Sequence, residues 1–141
     1  MGLVNLRNAN LLLMSLNPER LLEMNAICTK SGYKGIQTSD SIPSTILSLK
    51  QKKIDIVLFD SNLSGTNCTD FVKAIKAGFP KVKILPILDT SDINLNELKT
   101  SLSNLSISKT ISFPISQTLL SSTLDSLMME KMGITSSSVT N

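Results

Sequence analysis

One carboxylate, Asp60, closes a short apolar run that extends from Ile54 to Phe59. A run of this length and β-branched content predicts a strand buried on both faces of a parallel sheet. Open α/β sheets place their ligands at the carboxyl ends of the strands. Carboxylates act as metal ligands and as nucleophiles, so Asp60 is a candidate site residue whose chemistry depends on the groups around it.

The other residue types that commonly do chemistry are scarce. The chain has no histidine, which excludes histidine-based acid/base and nucleophilic catalysis. Its two cysteines, Cys28 and Cys68, are far apart and form no zinc-binding cluster. Cys28 falls on the apolar side of a helical pattern and is predicted to be buried, whereas Cys68 lies near a loop-to-helix junction and has little prospect of a redox role. We therefore expect a protein that is not an enzyme.

The bulk composition is that of one globular domain. The chain has 141 residues, of which 41% are hydrophobic and 18% charged. No apolar run approaches the roughly 20 residues that span a bilayer, and no signal peptide is evident, so we expect a cytoplasmic protein without a membrane partner. The net charge is +3, aromatics make up 4%, and most lysines are scattered along the sequence. Two groups are the exception: Lys50, Lys52 and Lys53 before the third strand, and Lys73, Lys76, Lys81 and Lys83 around the following helix. A solvated helix face is favoured for them over a surface that tracks phosphates, so nucleic acid binding is not expected.

Five predicted strands alternate with five predicted helices. Such alternation predicts an α/β fold in which helices cover both faces of a parallel sheet. Because Pro86 lies in the fourth predicted strand, this strand is expected to be short or to lie near an edge of the sheet. The Ser/Asn-rich fourth helix is expected to be irregular. In the last helix, the predicted inner face is Leu119, Leu120, Thr123, Leu127 and Met128. The strands are predicted at 10–14, 33–38, 54–59, 83–88 and 108–113, and the helices at 17–31, 41–49, 69–77, 95–105 and from 116 onward.

Two segments, Ile56–Gly65 and Leu11–Pro18, together with the order of the elements, resemble the response-regulator receiver domain family. The resemblance covers about residues 9–130, and the remaining 131–141 have the Ser-rich composition of a tail or linker. It implies a three-layer α/β/α sandwich with a five-stranded parallel sheet in the flavodoxin-like order 2-1-3-4-5.

In this family the aspartate that ends the third strand accepts a phosphoryl group from a histidine kinase, and Asp60 matches it. The family's acid pair, which helps to hold Mg²⁺, aligns with Ser15 and Leu16, and neither carries a carboxylate. A third metal contact, a backbone carbonyl, aligns with Asn62. Because Mg²⁺ usually needs one or two carboxylates, we expect metal binding to be greatly weakened.

Other positions of the family site also differ in this chain. The hydroxyl residue that ends the fourth strand aligns with Asp89, whose charge would repel a phosphoryl group, although a shift of one residue would restore Thr90. The family's Lys-Pro at the end of the fifth strand reads Phe113-Pro114, which keeps a proline expected to be cis and loses the cation. The position of the switch aromatic holds Thr110. Lys109 is not expected to replace the missing lysine, and apolar Leu16 and Phe113 are expected to fill the former pocket.

These departures predict an atypical receiver, or pseudo-receiver, that acts in two-component-type signalling through phosphorylation-independent protein contacts and needs no cofactor. Its predicted partner is a histidine kinase, another signalling protein or a second copy. The expected surface comprises the fourth helix, fifth strand and fifth helix, from about Leu95 to Met128. The main alternative is a genuine phosphoreceiver modified at Asp60 with Mg²⁺. A flavodoxin-like cofactor binder is less favoured because Leu16–Glu19 contains no glycine for a phosphate loop.

Overall fold

The computed structural model describes residues 5–107 and 109–133. Five parallel strands form one sheet in the order β2-β1-β3-β4-β5, as predicted. The strands are β1 (Asn10–Met14), β2 (Gly35–Ser39), β3 (Ile56–Asp60), β4 (Lys83–Leu88) and β5 (Ile111–Ser112). The helices are α1 (Pro18–Lys30), α2 (Ile42–Gln51), α3 (Cys68–Gly78), α4 (Leu95–Asn104) and α5 (Gln117–Lys131), and a 3-10 turn (Leu6–Asn8) precedes β1.

The hydrophobic core has two halves, one on each face of the sheet. Alternate residues of β3 supply both, since Leu58 packs with α1 and α5 while Phe59 packs with α2, α3 and α4. All five residues of β3 are buried, which is the burial expected for the central strand of a sheet covered on both faces. The three-layer α/β/α sandwich is therefore confirmed.

The start of α1 follows from its sequence. The Asn17 side chain accepts hydrogen bonds from the backbone N–H groups of Glu19 and Arg20, and Pro18 occupies the first helical position. Because α1 begins directly after β1, this cap fixes the first turn of the helix above the carboxyl end of the sheet. Arg20 is carried to that edge as a result.

Pro86 lies in the middle of a six-residue strand that is second from the edge of the sheet. The Ile87 carbonyl accepts from Ser61 N–H on the β3 side, and the Leu88 carbonyl accepts from Phe113 N–H on the β5 side. Since successive peptide groups of a strand alternate in direction, the Pro86 nitrogen points toward β5. The ladder with β5 begins only at Ile87, so the missing N–H of proline costs no sheet hydrogen bond.

Some predicted element details were wrong. Leu119 is 50% exposed, and the inner face of α5 is formed by Leu120, Leu124, Leu127 and Met128, which follow the spacing of a single helical stripe. The fourth helix is regular from Leu95 to Asn104 instead of irregular. The paired part of the fifth strand has two residues, and its predicted start at Ser108 lies outside the described residues. The tail from 134 onward also lies outside them, so its prediction stays untested.

Candidate functional site

The sequence-predicted site residues meet at the carboxyl edge of the sheet. Asp60 ends β3, Ser15 follows β1, Asp89 follows β4 and Phe113 follows β5. Because the strands are parallel, these positions lie side by side. Asp60 is 1% exposed and Ser15 is fully buried, so these two side chains are largely shielded from bulk water.

A residue that the sequence analysis did not single out, Arg20, occupies the centre of this site. Its Nη1 lies 3.2 Å from Asp60 Oδ1 and 3.3 Å from Asp60 Oδ2, and its Nη2 lies 2.9 Å from Asp89 Oδ2. One guanidinium therefore bridges the ends of β3 and β4. The hydrogen bond to Asp89 is the main reason why the pKa of Arg20 is raised, so the Arg20 guanidinium stays positively charged.

Both carboxylate oxygens of Asp60 have further donors. Ser15 Oγ donates to Oδ2 at 2.9 Å, and the Asn62 backbone N–H donates to Oδ1 at 3.0 Å. Ser15 Oγ in turn accepts from Asn17 N–H at 3.0 Å. Asn62 thus contacts Asp60 through its amide N–H, and the buried carboxylate is paired and hydrogen-bonded as a buried charge requires.

Asp89, and not Thr90, is the residue that faces the site. It accepts from the Ser91 hydroxyl at 2.6 Å and the Ser91 N–H at 2.9 Å as well as from Arg20, while Thr90 is exposed. The unshifted position therefore holds the side chain that reaches Arg20 beside Asp60. The sequence suggested that the negative charge of Asp89 would repel a phosphoryl group. In the structure this charge is paired with Arg20, so Asp89 helps to hold the guanidinium in place.

Phe113 forms an apolar support for the guanidinium. Arg20 Cζ lies 4.4 Å from the centroid of the Phe113 ring, which is the geometry of a cation–π contact. Phe113 is 9% exposed and Leu16 is half-buried against the α2–α3 side of the core, and the Phe113–Pro114 peptide is cis as expected. The aromatic ring that replaces the family lysine therefore positions a cation supplied by another element.

The remaining positions lie away from Asp60. Lys109 pairs with Glu130 on α5 at 2.8 Å, so it is engaged elsewhere. Thr110, at the switch position, is half-buried and lines an open groove of about 430 Å³ between the start of β5 and α5. That groove is also lined by Ser122, Thr123 and Ser126, so the switch position is surrounded by hydroxyl groups.

The donor set does not fit Mg²⁺. Within residues 5–107 and 109–133, no three acidic, histidine or cysteine side chains come together in a way that could hold a metal ion. The two carboxylates near the expected position, Asp60 and Asp89, are both bound to Arg20. A divalent cation would have to displace that guanidinium or lie beside it, and like charges about 4 Å apart repel by several kcal/mol at a protein surface.

The sequence contained one signal that could have revealed Arg20. The Asn17-Pro18 cap predicts a helix start, and a basic residue in the first turn opposes the helix macrodipole. Such a residue needs a compensating anion nearby. Asp60 was the obvious candidate, because it closes the neighbouring strand.

The acid sensitivity of the chain should report on Asp89. Hydrogen bonds from the Ser91 hydroxyl and then from Arg20 lower the pKa of Asp89 to about 2, below the value of roughly 4 of an unfolded aspartate. A lowered folded-state pKa stabilises the fold above the unfolded pKa, and this contribution disappears as the pH falls toward 2. We expect the free energy of unfolding in urea to fall between about pH 4 and pH 2, and Asp89→Asn to make that fall shallower.

A second carboxylate serves as the internal reference for this measurement. Lys109 lowers the pKa of Glu130, which is present in both proteins, so the difference between the two pH profiles isolates Asp89. Parallel profiles for the wild type and Asp89→Asn would contradict the assignment.

Neither cysteine is set up for thiol chemistry. Both are free and buried, and desolvation raises the pKa of each thiol to about 12. For Cys68 the nearby negative charge of Asp60 acts in the same direction. The prediction that Cys28 is buried is confirmed, and Cys68 belongs to the core on the α3 side.

No family model matches this sequence, and no curated protein matches it. Solved structures do match. A CheY-like receiver domain from Methanospirillum hungatei JF-1 superposes with a TM-score of 0.77 at 14% identity, covering 89% of this chain and 98% of that one. The chain has the receiver-domain fold. A receiver domain from Clostridium thermocellum gives 0.77 at 15% identity, covering 88% of this chain and 97% of that chain.

The chemotaxis response regulator CheY4 of Vibrio cholerae is also similar to this receiver fold. The TM-score is 0.70 at 17% identity, with 85% of this chain and 98% of that chain covered. These identities are low, so the likeness establishes the architecture and leaves the chemistry to the residues of the site. Across the described residues, no helix combines the length and the apolar character that crossing a bilayer requires.

Proposed function

We propose that this chain is an atypical receiver domain that acts in two-component-type signalling through protein contacts, without phosphorylation of Asp60. The observation that carries the proposal is the Arg20 bridge between Asp60 and Asp89. It supports a site in which a cation of the chain itself already neutralises one of the two carboxylate charges. An Mg²⁺ ion and a phosphoryl group would have to compete with that internal cation.

The surroundings of Asp60 support this proposal in two ways. First, each of its oxygens already accepts two hydrogen bonds, from Arg20 and from either Ser15 or Asn62. Second, metal ions assist phosphoryl transfer by positioning the reacting groups and neutralising charge, and this chain has a serine and a leucine where the acid pair would be. The uncharged Ser15 hydroxyl donates to Asp60 and supplies no negative charge that would attract a metal ion.

One observation favours the alternative, a genuine phosphoreceiver. An open groove of about 600 Å³, lined in part by Asn17, Glu19 and Asn62, borders Asp60, and Arg20 lies within hydrogen-bond distance of the same carboxylate. A guanidinium in that place could stabilise phosphoryl oxygens if Asp60 were modified.

Incubation of the full chain with Mg²⁺ and acetyl phosphate, or with beryllofluoride, separates the two functions. We expect no phosphoryl adduct in the intact mass and no change in the amide chemical shifts of Ser15, Asp60 or Asn62. A receiver domain with an intact acid pair, treated in parallel, serves as the positive control. A stoichiometric adduct that disappears in Asp60→Asn would establish the alternative and overturn the proposal.

For the partner surface we propose the face formed by α4, β5 and α5. In this face β5 is the edge strand of the sheet and pairs with β4 over only two residues, α5 packs on one side of the sheet and α4 on the other. The hydroxyl-lined groove beside Thr110 lies on this face and could receive polar side chains of a partner. A histidine kinase, another signalling protein or a second copy of the chain would be the partner class.

A further inference from the structure

The fold gathers the lysines that are scattered in the sequence. Nearly all of them lie at the amino edge of the sheet, opposite the site of Asp60, because they precede strands or end helices. Four are in the loops before β2, β3 and β4: Lys34, Lys52, Lys53 and Lys81. Three are in the last turns of α1, α2 and α3: Lys30, Lys50 and Lys76. We call these seven residues the basic face.

The lysines of the basic face are free to bind an anion. All seven are exposed, and within residues 5–107 and 109–133 none has a carboxylate oxygen within 4.0 Å. The carboxylates at this edge are taken by other lysines: Glu130 by Lys83 and Lys109, and Asp55 by Lys131. These three paired lysines are half-buried, whereas the seven unpaired lysines of the basic face are exposed.

Neutralisation of helix dipoles explains only part of this charge. A lysine in the last turn of a helix is favoured by the negative end of the macrodipole, which accounts for Lys30, Lys50 and Lys76. Among the loop lysines, Lys52 is the C-cap of α2 and shares that effect, whereas Lys34, Lys53 and Lys81 satisfy no such requirement. The opposite edge of the sheet carries exposed acidic residues, among them Glu19, Asp40 and Asp92, so the molecule is electrostatically polar from one end to the other.

We propose that the basic face binds an anionic lipid surface and holds the domain there with its carboxyl edge turned away. The lysines spread over a broad area, since the loops that carry them precede strands from β2 to β4, which lie three spacings of about 4.8 Å apart, or roughly 14 Å, and the helix layers extend the area in the other direction. A broad surface of this kind matches a plane of lipid headgroups. Each lysine near an anionic membrane contributes to binding by electrostatic attraction, and the protein needs no shaped pocket for the headgroup.

Nucleic acid fits the same face less well. Both arginines, which are the usual partners of phosphate and bases, are engaged elsewhere: Arg20 with Asp60 and Asp89, and Arg7 with Asp125. Four of the five aromatic rings, those of Tyr33, Phe59, Phe71 and Phe113, are buried, and the fifth, Phe79, is partly buried against the α3 side of the core, so this face lacks the row of exposed rings on which successive bases stack. Neither a membrane nor a nucleic acid partner was expected from the sequence, because the lysines come together at one edge only in the folded chain.

Vesicle flotation with the full chain tests the proposal. We expect binding to phosphatidylcholine vesicles that contain about one third phosphatidylserine, no binding to pure phosphatidylcholine, and release at about 0.5 M salt, where charges are screened over a few ångströms. The double variant Lys52→Glu, Lys81→Glu should bind at least tenfold more weakly. The matched control Lys73→Glu, Lys99→Glu makes the same change in net charge on α3 and α4 and should bind within about twofold of the wild type.

Each other outcome would overturn the proposal. Equal weakening by both double variants would show that only net charge matters, and absence of vesicle binding at low salt would remove the lipid surface altogether. Tighter binding to a short DNA or RNA duplex than to the vesicles would assign the face to nucleic acid. Self-association in sedimentation, lost in Lys52→Glu, Lys81→Glu without any vesicle binding, would assign it to the acidic edge of a second copy. None of these results depends on the modification state of Asp60.

Discussion

Replacement of Arg20 by methionine is expected to lower the free energy of unfolding by about 2–4 kcal/mol, because it leaves a buried carboxylate without its counter-charge. Asp60 is 1% exposed and would keep only the Ser15 and Asn62 hydrogen bonds. Asp89 would also lose its partner, but it is partly exposed and retains Ser91. Urea denaturation at neutral pH, followed by circular dichroism, measures the change.

The double variant Arg20→Met, Asp60→Asn is the control that identifies the cause. An asparagine at this position carries no charge, so most of the stability lost in Arg20→Met should return. Asp60→Asn alone should cost less than Arg20→Met, since its Arg20 stays paired with Asp89. If the double variant were as unstable as Arg20→Met, the loss would come from packing on Phe113 and not from the buried charge.

Phe59→Ala is expected to destabilise the fold by about 3–5 kcal/mol through loss of buried surface and creation of a cavity. The Phe59 side chain is fully buried directly before Asp60, and its ring meets the Phe71 ring edge-on with centroids 5.1 Å apart. The substitution therefore loosens the packing of α3 against β3 at the strand end that carries the site. Equilibrium unfolding in urea measures the loss.

A substitution at the surface sets the scale for that result. Leu22 is 69% exposed on α1, so Leu22→Ala should change the free energy of unfolding by no more than about 0.5 kcal/mol. Similar losses for Phe59→Ala and Leu22→Ala would contradict the assignment of Phe59 to the core. Phe59→Leu, which keeps an apolar side chain of intermediate size, should fall between them.

The architecture could be predicted from the sequence because its signals are local and repeated. The β3 run, the Asn17-Pro18 cap and the alternation of elements each depend on a few neighbouring residues, and all three agree with the structure. Leu119 was assigned to the wrong side of α5 because Leu119, Leu120 and Leu124 are all apolar, and sequence alone did not distinguish the stripe that faces the sheet.

The site was only half predictable for a different reason. The alignment with receiver domains identified Asp60, Ser15, Asp89 and Phe113, and these residues do come together. It also showed which family groups are missing. The alignment could not show that Arg20 takes the place of these missing groups beside Asp60. Arg20 lies on α1 and reaches both carboxylates only after α1 has packed against the sheet. The basic face was visible only in part for the same reason, since its two local groups of lysines join each other and Lys30 and Lys34 only in the folded chain.

The Arg20 bridge has a consequence for the time course of any signal that this domain carries. A cation that is part of the chain is always present at high effective concentration, whatever the supply of free ions in the surroundings. Chelating agents should therefore leave the site unchanged. A domain that stores no phosphoryl group also has no intrinsic decay time, so under the proposed function the strength of its output would follow the amounts of the chain and its partner.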